Sequence, residues 1–231
     1  MNVPLTAVIF EFETVLAETI GARRAALVRS LADDGVSISD EQIAEHCESV
    51  DPGEALGALF RANGQLPDAV ALDLAVHRAA RYFAEAISQG LTLAPGAREF
   101  LEAAAGQARL AVVTRMRRQD IEAALALAGL EFAFETIVAA EDVAMPKPSG
   151  QPYERALNRL ARRRSVSPHS TLAIEDSVSG IMAARAVHLS CIAIGPCIPH
   201  HAVRADAYVA SLQSQTLHTL EQLVARSVRA A

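Results

Sequence analysis

The chain has 231 residues, 51% of them hydrophobic and 21% charged, with a formal net charge of −6. That length and apolar content suffice for one sizeable core with a small second lobe set into it, while the scattered, outnumbered lysines and arginines argue against a nucleic-acid surface. No apolar stretch approaches the roughly 20 residues of a bilayer span, and no basic, then apolar leader precedes Ala7, so neither a membrane partner nor an export signal is expected.

Taken in chain order, the first apolar run is Ala7 to Phe10, and Glu11-Phe12-Glu13 follow it directly. From about Thr19 to Leu91 the pattern is helical with no strand signal. Ala25, Leu27, Val28, Leu31 and Ala32 are expected to share one apolar face, and Ser39-Asp40-Glu41-Gln42 and Asp51-Pro52-Gly53 read as helix starts. Leu93-Ala94-Pro95-Gly96 then punctuates the chain, and Ala97 to Ala105 reads as the next helix. Further apolar runs follow at Leu110 to Val113, Thr136 to Ala139, Thr171 to Ile174, Ser190 to Ile194 and Ala207 to Val209, each trailed by amphipathic sequence. Leu217, Leu220, Leu223 and Val224 predict a closing helix. Continuous apolar runs, rather than alternating ones, predict strands covered on both faces: an α/β fold with a Rossmann-like, doubly wound parallel sheet. Ligands of such sheets lie at the carboxyl ends of the strands.

The residues at those ends carry chemistry. Glu11 and Glu13 follow the first run, Thr114 the second, Lys147 and Pro148 the third, and Glu175-Asp176-Ser177 the fourth. Four carboxylates, a hydroxyl and a lysine would converge on one rim. Carboxylate oxygens suit Mg²⁺, which takes a few carboxylates, waters and a substrate phosphate. A carboxylate attacking phosphorus gives an acyl phosphate, and a lysine offsets the repulsion between the two anions. A second carboxylate two residues on can protonate the leaving oxygen and then activate water. Thr114 could instead cap the following helix, Lys147 could be an ordinary loop lysine, and the Glu175 to Ser177 segment could be a helix start. Arg115, Arg117 and Arg118 form a local basic cluster, either a solvated face or a lure for an anionic substrate. His200-His201 has no spaced partner for a metal and reads as loop, and Arg162 to Arg164 read as a helix end. Cys47, Cys191 and Cys197 have neither metal-type nor redox-type spacing, so they read as free thiols and favour a cytoplasmic location.

The string Val8 to Thr19 resembles the first motif of the haloacid dehalogenase (HAD) superfamily, with glutamates at Glu11 and Glu13 where that family has aspartates and Thr14 where it has glycine. Val112-Val113-Thr114, Lys147-Pro148 and Ile174 to Ile181 are similar to its second, third and fourth motifs, in the form found in the branch of β-phosphoglucomutases and phosphoglycolate or sugar-phosphate phosphatases. The resemblance implies an α/β core at residues 1–18 and 92–231 and a helical cap at 19–91. It further implies Mg²⁺-dependent hydrolysis of a small phosphorylated metabolite; a monomer or dimer is expected. By position, Glu11 would be nucleophile and metal ligand, and Glu13 acid/base and metal ligand through its carbonyl. Thr114 would bind the phosphoryl group, Lys147 would neutralise it, Asp176 would ligate Mg²⁺, and Glu175 would support the metal. Arg115 and Arg23 would be candidates for substrate binding, Arg23 falling where mutase-like members carry histidine; their phosphate-gripping arginine falls near Pro52, which argues against mutase activity.

Each glutamate is one methylene longer than aspartate, about 1.5 Å, and misplacement by about 1 Å can reduce a rate on the order of 10²-fold. Two readings therefore stay open: a slow phosphatase, or a pseudoenzyme that binds a phosphorylated ligand or a protein partner. A 2-haloacid dehalogenase, which needs no metal, fits Glu13 and Asp176 poorly.

Overall fold

The computed structural model describes residues 4–46, 52–195 and 205–230. Cys47, Asp51, Cys197 and the His200-His201 pair lie outside the described residues. Six parallel strands, β1 (Ala7–Phe10), β2 (Arg109–Val113), β3 (Thr136–Val138), β4 (Thr171–Glu175), β5 (Ser190–Ile194) and β6 (Ala207–Val209), form one sheet. Their order is β3-β2-β1-β4-β5-β6. The predicted runs and the strands agree to within about a residue at each end, because strands covered on both faces leave no polar position in the run. The chain order reverses across β1, which pairs with both β2 and β4. In a doubly wound sheet this is where a crevice opens at the carboxyl ends.

The two faces differ in side-chain size. Val8, Phe10, Leu110, Val112, Leu172, Ile174, Ile192 and Ile194 face one layer. Ala7, Ala111, Ala173, Cys191 and Ala193 face the other with Ile9 and Val113. The small side chains let α7 (Gln151–Ala161) and α8 (Val178–Ala186) approach the sheet closely. On the bulkier face sit α5 (Ala97–Ala104) and α6 (Arg118–Ala128), with Phe10 edge-on to Phe100 at 6.0 Å between ring centroids. The closing helix α9 (Leu217–Ala230) buries Leu217 and Leu220 there. Cys191, the one cysteine within the described residues, is a buried free thiol.

Between β1 and β2 lie α1 (Ile20–Ala32), α2 (Asp40–His46), α3 (Pro52–Ala62) and α4 (Ala69–Ser88). Ser39 accepts from the Gln42 amide while the Gln42 side chain accepts from the Ser39 amide, a reciprocal cap that starts α2 as its sequence predicts. Asp68 caps α4 by accepting from the Ala71 amide at 2.8 Å. Leu27, Leu31, Leu56, Leu59, Phe60 and Ala75 bury one another in a cluster separate from the two against the sheet. The predicted face of α1 needs correction: Ala25 and Ala32 are exposed, while Ala26 and Ser30 are buried beside Leu27 and Leu31. Ser30 tolerates burial because its hydroxyl donates to the Ala75 carbonyl at 2.7 Å.

Two crossing segments are stitched together: the Glu18 amide donates to Thr92 and the Ala94 amide to Leu16, both at 2.9 Å. Gly96, at φ 79°, starts α5 with the chain of Gln213 so close that a Cβ would lie 2.3 Å from its amide nitrogen. Only glycine fits there, in conformation and in space. Among the described residues, no helix is long and apolar enough to cross a membrane.

Candidate active site

The register of the sheet determines which side chains meet. Phe10 lies between Val112 and Ile174, so the next residue on each strand reaches the same rim. The Glu11 amide continues the ladder to the Ile174 carbonyl at 3.0 Å, and the Thr114 amide donates to Val138 at 3.0 Å. Into this gap the loop after β3 delivers Lys147. Its ammonium donates to Glu11 Oε2 at 2.7 Å, to the Val113 carbonyl at 3.0 Å and to Glu175 Oε1. All three protons of the ammonium are thereby engaged. Glu11 Oε1 accepts from the amide of Phe12 at 2.7 Å, and the Thr114 hydroxyl also bonds the Glu11 carboxylate. Thr114 Oγ1 accepts from the Met116 amide, and α6 starts at Arg118, so Thr114 serves Glu11 and the turn rather than a helix cap.

Glu11, Thr114, Lys147 and Glu175 are all buried, Glu175 completely. Burial pushes the Glu11 carboxyl up, but the Lys147 ammonium and the hydrogen bonds from Lys147, Thr114 and Phe12 outweigh it and hold Glu11 below the usual range. Burial also pushes Glu175 up; Lys147 pulls it down while Glu11 pushes it up, and the net shift is upward. For Lys147 desolvation favours the neutral form, yet the two carboxylates prevail and raise it, so the lysine is a cation at neutral pH.

Asp176, directly after β4, is pushed up to about 8, by burial first and then by Glu175 and Glu11. Three carboxylates with one lysine leave a deficit of positive charge at this rim. The donors are hard oxygens, which fits Mg²⁺ rather than a thiolate- or imidazole-binding metal. Among the described residues no three His, Cys, Asp or Glu side chains are placed to surround an ion. One or two carboxylates completed by carbonyl, water and phosphate oxygens is the set Mg²⁺ accepts.

Thr14 takes φ 64°, the left-handed turn that glycine reaches at least cost, and its hydroxyl bonds Asp176. The sequence therefore keeps the turn and gains a contact to the candidate metal ligand. Ser177 starts α8 by accepting from the Gly180 amide at 3.1 Å, so this segment is a helix start and a candidate site at once. A Cβ on Gly180 would lie 2.0 Å from Glu175 Oε2, so helix and carboxylate can be this close only with glycine.

Glu13 belongs to a different set. It turns toward the inserted helices, where Arg23 of α1 donates through Nε at 3.0 Å and through Nη2 at 2.6 Å, and the Thr19 hydroxyl donates at 2.9 Å. The structure thus joins Glu11, Thr114, Lys147 and Glu175 directly, places Asp176 beside them, and pairs Glu13 separately with Arg23 of α1. Arg115 donates to the Lys147 carbonyl at 3.1 Å and to Ser179 Oγ at 2.7 Å. The basic cluster is neither a bare lure nor simply solvated: Arg118 pairs with Glu122 and Asp142, and Arg117 lies 3.7 Å from Glu141.

Two residues escape the sequence reading. Tyr153 on α7 is fully buried and donates to Glu175 Oε1 at 2.5 Å; its position in an apolar stripe signals only core. Asp120 is buried in the first turn of α6, where an acid is favoured for the helix dipole alone.

A family model described as haloacid dehalogenase-like hydrolase matches residues 8–194. Protein CbbY of Rhodobacter capsulatus is 31% identical over 204 residues, 80% of this chain and 83% of that protein. The crystal structure of CbbY from Rhodobacter sphaeroides in complex with phosphate superposes with a TM-score of 0.84 at 27% identity, covering 94% of this chain and 99% of that one. A variant of the same protein in complex with xylulose-1,5-bisphosphate gives a TM-score of 0.83 at 27% identity and the same coverage.

Proposed function

The chain belongs to the haloacid dehalogenase-like hydrolase family, and we propose that it hydrolyses the phosphate ester of a small metabolite at the rim of β1, β2 and β4, slowly and with Mg²⁺. One observation carries this reading: a buried lysine held between Glu11 and Glu175 at the switch point of the sheet. The relatives crystallised with phosphate and with a sugar bisphosphate support the substrate class.

In this reading Glu11 attacks phosphorus and the bond to the leaving oxygen breaks, with Glu13 supplying the proton to that oxygen. Glu13 then takes a proton from water, which attacks the acyl phosphate and frees Glu11 and inorganic phosphate. Lys147 and Thr114 hold the phosphoryl oxygens, and Arg23 and Thr19 orient the Glu13 carboxylate. Bound at Asp176, the Glu13 carbonyl and Glu11, a Mg²⁺ ion would offset the charge of the phosphoryl group. Residues 1–18 with 92–231 would serve as the catalytic core and 19–91 as the cap that covers it.

A panel of sugar phosphates, phosphoglycolate and an aryl phosphate tests the reading. Phosphate release that needs Mg²⁺ and stops in EDTA is expected. A second reading, a binding protein without turnover, draws on the saturated hydrogen bonding of Lys147 and Glu11. Thermal stabilisation by these ligands with no phosphate release across the panel would replace the first reading by the second.

A further inference from the structure

Between the inserted helices and the sheet runs a cleft lined on one side by Arg23, Leu27 and Phe83 and on the other by Arg117 and Asp120. It is narrow, with about 20 Å³ open to water-sized molecules, the space of about one water. Its walls are mainly apolar. Asp120 is 8% exposed, and its carboxylate, to which no described residue donates, still has oxygens open to water rather than closed off. A carboxylate so placed keeps part of its hydration through the cleft, where a ligand hydroxyl can take the place of water. The neighbouring cations are already committed: Arg23 grips Glu13, and Arg117 lies by Glu141. Desolvation raises the Asp120 carboxyl, with Arg117 and Arg23 pulling it down and Glu141 and Glu13 pushing it up. Among the described residues around Asp120, two arginines thus face three carboxylates, a balance unfavourable to a second phosphate.

We propose that Asp120 selects the alcohol portion of the substrate, accepting hydrogen bonds from the hydroxyls of a polyol or sugar monophosphate, and that the cleft disfavours a bisphosphate. This rests on the phosphatase reading of the Glu11 site, whose mouth the cleft adjoins through Arg23. A substrate hydroxyl would replace the one water the cleft can hold, which favours binding only if it repeats that water's bond to the carboxylate. An apolar leaving group cannot do so. Opening the contact between α1, α4 and the loop before α6 would admit the rest of the alcohol.

The experiment compares ribose 5-phosphate, phenyl phosphate and ribulose 1,5-bisphosphate on the parent chain, Asp120→Ala and Asp120→Asn, by kcat/KM and by calorimetric Kd. The parent chain should prefer ribose 5-phosphate over the bisphosphate. Asp120→Ala should weaken ribose 5-phosphate by about 10-fold or more, leave phenyl phosphate within about twofold, and melt within a few degrees of the parent; Asp120→Asn, which keeps one acceptor oxygen, should lose less. Equal effects on both monoesters, no effect, or tighter use of the bisphosphate overturns the proposal. Should no ester turn over, the phosphatase reading fails, and the ratio of the Kd values still decides Asp120. If nothing binds either, both fall.

Discussion

Replacing Glu11 and Glu13 together by aspartate should raise kcat for phosphate release by on the order of 10²-fold. The Cα of Glu11 is fixed by the ladder bond of its amide to Ile174, so the side-chain length alone determines where the carboxylate ends. At glutamate length, one oxygen folds back onto the Phe12 amide and the other reaches Lys147. Both oxygens and the ammonium are therefore satisfied before any phosphate arrives, and in-line attack must first break one of these bonds. Shortening the chain by a methylene withdraws the carboxylate and leaves Lys147 with a donor to spare for a phosphoryl oxygen. Glu13→Asp alone should give no gain, because it also pulls away from Thr19 and Arg23. Stopped-assay phosphate release under saturating aryl phosphate measures both variants beside the parent chain. A double variant no faster than the parent chain would show that carboxylate length does not limit turnover.

Lys147→Met should lower the unfolding free energy by about 3–5 kcal/mol, because it strands two buried carboxylates without their cation. Glu175 is wholly inaccessible and, among the described residues, would keep Tyr153 and Ser177 as donors. For a chain of this size the melting temperature should fall by about 10 °C. The sign with pH follows from the shifts. In the parent chain Glu11 is held below its ordinary value and Lys147 above its own, so the stability they contribute is present near neutral pH and declines in acid as Glu11 protonates. In the variant the uncompensated carboxylates are raised, so folding favours their protonated forms and stability rises as pH falls. The gap between the two proteins is therefore widest at neutral pH and narrows toward about pH 5. Urea midpoints at the two pH values check this; a deficit below about 1 kcal/mol at neutral pH would contradict a desolvated pair.

The six strands are legible because parallel strands covered on both faces must be apolar throughout, and the strand ends are legible because polar residues interrupt each run. Strand order is not written in any run. It arises from which crossover packs where, and only the pairing of β1 with both β2 and β4 brings Glu11 between Thr114 and Glu175. Residue type likewise reveals Glu11, Lys147 and Asp176 as chemistry, but not their hydrogen bonds. Glu13 meeting Arg23, and Tyr153 meeting Glu175, depend on side-chain directions across separate elements. The face of α1 is misjudged from periodicity because alanine is uninformative about burial, and because Ser30 finds an acceptor that only the fold supplies. Asp120 stays hidden for a third reason: a first-turn acid is ordinary until its burial and lack of a donor are seen together.

Glu11 is proposed as the group that takes the phosphoryl moiety. Glu13→Gln with an aryl phosphate isolates that step, since an aryl alcohol leaves without a proton donor while an amide cannot activate the water that clears the intermediate. A burst of aryl alcohol stoichiometric with protein is expected and, by mass spectrometry after acid quench, a phosphoryl group on the Glu11 side chain. Aryl alcohol released with no covalent phosphate, or with phosphate on another residue, would contradict it.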